Sequence, residues 1–225
     1  MVFSDFDRAF MANNMKIIVD SIEAKINEPF FSEFKQTAIN TISLYIDAIV
    51  KFEASGVNRN LFSSDDNEAE ALINSHYCTL SESIENCDIN QVFDALRHSF
   101  SCYAYNGLHQ LYTRQENECW HPKIRLTEIL TPNDIESLGQ TITLYRGCDV
   151  SELNNNSFGQ AWTTSLEVAK EFAYIDYQHQ PWFDKNSRIV LETNYLREHV
   201  LFSDQSVEYE VVVDVTKLVG VRKHT

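Results

Sequence analysis

The chain is short of positive charge. Against 18 Lys and Arg stand 33 Asp and Glu, giving a formal net charge of −15 at pH 7 over 225 residues. Grip on a phosphate backbone rests on clustered basic side chains, so no nucleic acid is expected as a partner. Only the tail from Lys217 to His224 is locally basic. Long apolar runs are also missing: no stretch approaches the roughly 18 residues of a membrane span. The start, Met1-Val-Phe-Ser-Asp-Phe-Asp-Arg8, lacks the basic-then-apolar order of a secretory signal. These gaps predict no membrane partner and a cytoplasmic setting. Cys78, Cys87, Cys102, Cys119 and Cys148 are odd in number and form no Cys-x-x-Cys pair. That argues against zinc and disulfide frameworks and for reduced thiols. The seven histidines show no His-x-x-x-His spacing, so no metal is expected. A Gly-x-Ser-x-Gly elbow, a Walker loop and a Gly-x-Gly-x-x-Gly fingerprint are absent as well.

What is present is a folded globule's composition, with 44% apolar residues. The first half reads helical. Ile18, Ile22 and Ile26 recur at helical spacing over 15–26, and Ala38, Ile42, Tyr45, Ile49 and Phe52 form one stripe over about 33–52. The polar run from Ser55 to Asp66 marks a loop or a subdomain boundary, which gives a helical extension over 1–65. A further helix follows with Ala71, Leu72 and Ile73 in its body. Asp88 and Gln91 have the spacing of a capping box, ahead of a helix that buries Val92, Leu96, Phe100, Tyr103 or Ala104, and Leu111. Thr131-Pro132 to Gly139 has the proline-first, glycine-last order of a short helix. The apolar period then falls from 3.6 to 2. Strands are predicted at 141–146, 160–164, 187–193, 198–203, 208–214 and 218–222, with one helix at 165–175. Helices first and strands second make an α+β chain.

Three stretches carry the chemistry. Thr141-Ile-Thr-Leu-Tyr-Arg146-Gly147 is an alternating strand ending in a guanidinium and a bare Cα. Phe158-Gly-Gln-Ala-Trp162-Thr163-Thr164-Ser165 is an extended, hydroxyl-rich piece that opens a helix, with Ser165 as its expected N-cap. Glu208-Tyr209-Glu210 opens a late strand. With a period of two, Glu208 and Glu210 share a face about 7 Å apart, a ready acid/base pair. Taken alone, a Glu-x-Glu is more often a solvated strand face, and Arg146 could simply pair with one of the many carboxylates.

In this order and spacing, the three stretches resemble the mono-ADP-ribosyltransferases of the arginine–serine–glutamate group, which includes bacterial toxins, effectors and phage enzymes. The match covers about residues 140–215. One departure is Thr163, where the family has the first serine of Ser-Thr-Ser. The resemblance implies two small packed sheets forming a cleft for NAD, which would make 66–225 the transferase domain. NAD is then a substrate and a protein side chain the acceptor. Transfer breaks the bond from ribose to nicotinamide and builds positive charge on the ribose, which a carboxylate beneath it stabilises.

By resemblance Glu210 takes that place, and Glu208 orients and deprotonates an arginine acceptor. Thr163 positions Glu210, and Ser165 supports the site. Arg146 clasps pyrophosphate bidentately, as lysine could not, and the Gly147 backbone holds the nicotinamide amide. Trp162, Phe172, Tyr177, Trp182 and Phe183 are aromatics near the expected cleft, and the resemblance implies that one of them stacks on the nicotinamide ring. Delivery into a host cytoplasm by a signal-less route or by phage fits the same reading. Two other readings stand beside it: an NAD glycohydrolase with water as acceptor, and a non-catalytic interaction module whose acidic surface and helical extension suit a basic partner.

Overall fold

A computed structural model describes residues 2–56, 67–111, 120–180 and 183–225, Leu111 by its backbone alone. The predicted boundary near residue 65, Cys119 and Trp182 lie outside the described residues. The chain forms two compact units, Met1–Arg125 and Leu126–Thr225.

In the first unit, α1 (Asp5–Ala9) starts where the Ser4 hydroxyl accepts the Asp7 amide, and a π turn spans Phe10–Asn14. Helix α2 (Val19–Ile26) begins later than the isoleucine spacing predicts. Lys16 has φ 54° and Ile17 bridges Ile124, so residues 16–18 pair with 123–125 and do not coil. Helix α3 (Lys35–Ala54) buries the predicted stripe of Ala38, Ile42, Tyr45, Ile49 and Phe52. It packs with α4 (Glu68–Ser81) and α5 (Cys87–Asn106), and α6 (Leu108–Leu111) follows. Tyr45 meets Phe100 at 5.7 Å between ring centroids, and Phe31 meets Phe93 at 5.4 Å. The cap of α5 falls two residues before the predicted one: Asn86 accepts the amides of Asp88 and Ile89. Asp88 is left in the first turn, where its charge favours the helix dipole.

The second unit is built on strands. After a 3-10 turn at Ile135–Ser137, smaller than the predicted helix, come β1 (Thr141–Asp149), α7 (Val150–Asn154), β2 (Ala161–Thr163) and α8 (Leu166–Tyr174). Then follow β3 (Arg188–Leu196), β4 (Val200–Asp204), β5 (Glu210–Val213) and β6 (Arg222–Lys223). They form one antiparallel six-stranded sheet in the order β4-β5-β2-β1-β3-β6. The architecture is α+β, with helices ahead of the sheet.

One sheet stands where two were expected, but its middle is thin. Strands β1 and β3 pair along their length from Thr141–Leu196 to Asp149–Arg188, whereas β1 meets β2 at the single rung Tyr145–Thr163. One face buries Leu144, Cys148, Trp162, Ile189, Leu191, Val211 and Val213 in a core closed by Ile135 and Leu138. On the other face α8 seats Ala169 and Ala173 over Val190, with Tyr145 beside them. A side chain on Gly147 would bring its Cβ to 2.1 Å from the Ala169 carbonyl oxygen and 2.5 Å from the Ala173 nitrogen, so the helix lies this close only over glycine.

Candidate active site

Directly facing residues on antiparallel neighbours share a sheet face. The registers Asp204–Glu210, Glu210–Thr163, Thr163–Tyr145, Tyr145–Glu192 and Glu192–Arg222 therefore align one row across the sheet, on the face that carries α8. The row is polar from edge to edge, apart from the ring of Tyr145. His224 packs edge-on against that ring at 5.6 Å, with Nδ1 2.7 Å from Glu192 Oε2. The hydrogen bond with His224, with help from Arg222, holds the Glu192 carboxyl below the usual carboxylate range.

At the β5 end, the expected geometry needs a correction. Strand β5 begins at Glu210, not at Glu208. Tyr209 takes φ 52°, a left-handed conformation that breaks the two-residue alternation, so Glu208 sits in the preceding turn. Its carboxyl is placed by the loop rather than by the pleat. Burial, and then the nearby carboxylates of Asp176 and Asp204, push Glu208 above its ordinary value. An acid held up in this way is readier to take a proton near neutrality.

Thr163 also differs from expectation. Its hydroxyl donates to the Glu208 backbone carbonyl at 2.8 Å, so it steadies the turn, and its own strand pairs with Glu210. The Thr164 amide donates to the Tyr209 carbonyl at 3.0 Å. Ser165 caps α8 as expected, its hydroxyl facing the Val168 amide, while its own amide donates to the Thr163 hydroxyl.

The remaining expected residues divide between the two faces. Alternation along β1 turns Arg146 away from Tyr145, onto the face opposite Thr163 and Glu210. There its side chain is 6% exposed and forms a bidentate pair with Glu152, Nε to Oε2 at 3.0 Å and Nη2 to Oε1 at 2.9 Å. Nη1 donates to the Ala161 carbonyl at 2.6 Å. The bare Cα of Gly159 makes room for the guanidinium, since a Cβ there would lie 2.4 Å from Nη2. Trp162 is buried on this same far face, its Nε1 donating to Gly159 O. The structure therefore does not bring Arg146 and Trp162 to Glu210. Phe172 is half-buried on α8, and its carbonyl accepts Arg188 Nη2 at 3.2 Å.

Gly147 keeps a polar edge. The His224 amide donates to Val190 O at 2.8 Å, so the peptide groups of Val190 point toward β6. Gly147, facing Val190 across β1–β3, must then turn its own N–H and C=O toward β2. The pairing between β1 and β2 has already ended there, and Arg146 occupies the Ala161 carbonyl.

The sequence sets Gln205 aside because it does not stand in a Gln-x-Glu, yet its side chain bridges Thr164, Ser203 and Glu210. Sequence reasoning passed over Tyr145 and Glu192, whose only signal was their place in an alternating strand. Compared with models of known protein families, with curated proteins and with solved structures, the chain matches none.

Proposed function

We propose that the chain is a mono-ADP-ribosyltransferase, moving ADP-ribose from NAD to an arginine side chain of an acceptor protein. One observation carries the reading. The stretches around Tyr145, Thr163 and Glu210, spread over some 65 positions of sequence, meet in one rung of adjacent strands β1, β2 and β5. The lone rung between β1 and β2 supports a two-sheet core in which β4-β5-β2 and β1-β3-β6 are hinged at that rung, with the NAD cleft beside it.

In this reading the ribose C1′–nicotinamide bond breaks, and neutral nicotinamide leaves with the bonding pair. Glu210 stabilises the cationic ribose. A guanidinium nitrogen of the acceptor then bonds to C1′ and loses its proton to Glu208, whose raised proton affinity suits a base. The Gly147 peptide, turned toward the gap, offers an N–H and a C=O to the nicotinamide amide.

Tagged NAD incubated with a lysate, with labelled peptides mapped by mass spectrometry, tests the assignment. Glu210→Ala should abolish labelling, and labelling that survives the change removes Glu210 from the chemistry. Nicotinamide release with and without acceptor separates transfer from glycohydrolysis. The burial of Arg146 against Glu152 favours a second reading, a binding module that keeps the fold without catalysis. In that case NAD fails to bind by calorimetry while partner binding survives Glu210→Ala.

A further inference from the structure

Gln205 lies at the start of the turn that carries Glu208, and its side-chain amide uses both ends. Nε2 donates to Ser203 Oγ at 3.1 Å and to the Glu210 carbonyl at 3.0 Å, and Oε1 accepts the Thr164 hydroxyl at 2.7 Å. Its backbone N–H is held by Asp134 Oδ2 at 2.7 Å, and the Asp134 amide donates to Ser203 O at 3.0 Å. The turn is thus tied across its neck by one side chain, and its far side is tied to β2 by the bonds from Thr163 and Thr164. The two glutamates depend on these ties unequally. Glu210 is also fixed by strand pairing to Asp204 and Thr163, whereas Glu208 has no strand around it.

We infer that Gln205 is a positioning residue whose clamp sets Glu208 relative to Glu210, so that it governs transfer to the acceptor more than cleavage of NAD. The inference rests on the transferase reading for its chemistry and on the hydrogen bonds alone for the clamp. Only an amide supplies both donors and the acceptor. The change Gln205→Glu keeps the acceptor and loses both donors, so the clamp is specific to glutamine.

The test uses the full chain, NAD and agmatine as a free guanidinium acceptor, with the parent, Gln205→Ala, Gln205→Glu and, as a milder change, Thr164→Val. Backbone hydrogen exchange is read at 203–210 and at Thr164, with β1 and β3 as internal reference. Faster exchange is expected at 205–210 in both Gln205 variants and a smaller change in the same direction in Thr164→Val, with the reference strands unmoved. Transfer kcat should fall on the order of 10²-fold, the usual scale for a catalytic group misplaced by about 1 Å. KM for NAD should stay near the parent value, and nicotinamide release without acceptor should fall less than transfer. Unchanged exchange at 205–210 overturns the clamp. Equal losses of transfer and NAD cleavage overturn the unequal dependence. A parent that performs neither reaction, with the exchange pattern as expected, overturns the transferase reading and the catalytic half of the inference while the clamp stands.

Discussion

Replacing Arg146 decides between a ligand-binding and a structural role for the one guanidinium that the sequence marks most strongly. Its partner Glu152 is 18% exposed at the side chain, and both oxygens of that carboxylate are engaged by Arg146. Glu152 Oε2 also accepts the Gly159 amide at 3.0 Å. Removing one member of a buried pair leaves the other charged and poorly solvated, at a cost of about 3–5 kcal/mol. Glu152 keeps some water, so Arg146→Ala belongs at the low end, about 3 kcal/mol. The bond to Ala161 is part of that network and is not added separately. For a unit the size of Leu126–Thr225, each kcal/mol moves the melting temperature by about 4–8 °C, so a drop of about 12–24 °C is expected.

Arg146→Lys should recover little, because an ammonium cannot span both carboxylate oxygens and reach Ala161. The double change Arg146→Met with Glu152→Met should return most of the stability, since replacing both charges by apolar groups is commonly near neutral. Calorimetric melts of these four proteins, with the single changes Arg146→Met and Glu152→Met added to close the cycle, give the coupling, and NAD titration of the same samples gives the ligand effect. If Arg146→Ala melts within a degree or two of the parent while NAD affinity collapses, the structural assignment is refuted and the guanidinium belongs to the ligand.

Gly147→Ala should destabilise the second unit by about 1–3 kcal/mol, because its methyl overlaps backbone atoms of α8 that cannot rotate aside; a denaturant midpoint unchanged from the parent would show that α8 does not bear on this strand. Glu208→Gln should raise the melting temperature at neutral pH while removing transfer. Glu208 holds its proton more tightly folded than unfolded, so ionising it works against the fold. Its destabilising effect is absent below the ordinary carboxyl range, grows as pH rises through that range to the raised folded value, and is constant above. Melts of parent and variant from acid to neutral pH should therefore diverge upward, and a parent more stable than the variant at neutral pH contradicts the sign.

Much of the second unit was legible because strand and helix periods are local properties. Strands β1 to β4 start within two residues of the period-two segments, and α8 begins one residue after the predicted cap Ser165. The onset of β5 was not legible. Nothing in Val207-Glu208-Tyr209 asks tyrosine for a positive φ; bonds from Thr163 and Thr164, more than forty residues away, hold the turn. The bonding of Gln205 was hidden for the same reason, its partner Thr164 being 41 positions upstream. The partner of Arg146 is only six positions away, and a pairing with one of the many carboxylates, unspecified, was among the alternatives the sequence left standing. Composition could not choose between a carboxylate six residues on and a ligand phosphate, because both satisfy the same five donors.

Those two roles need not compete. Had β1 and β2 zipped one rung further, Gly147 and Ala161 would have faced each other as a bonded pair, and the middle of the sheet would be continuous. Instead Arg146 takes the Ala161 carbonyl from the far face, and Glu152 holds the guanidinium there. The Ala161 carbonyl thereby has a side-chain partner, and the Gly147 peptide faces the side on which the β1–β2 register is no longer kept. Leaving the next rung unzipped forgoes backbone bonds worth about 0.5–1.5 kcal/mol each, so a break of this kind persists only where other bonds over-determine it. On this argument Arg146 serves the proposed site from behind. Its guanidinium, held by Glu152, occupies the Ala161 carbonyl at the end of the β1–β2 pairing, and its loss should let that seam close or melt.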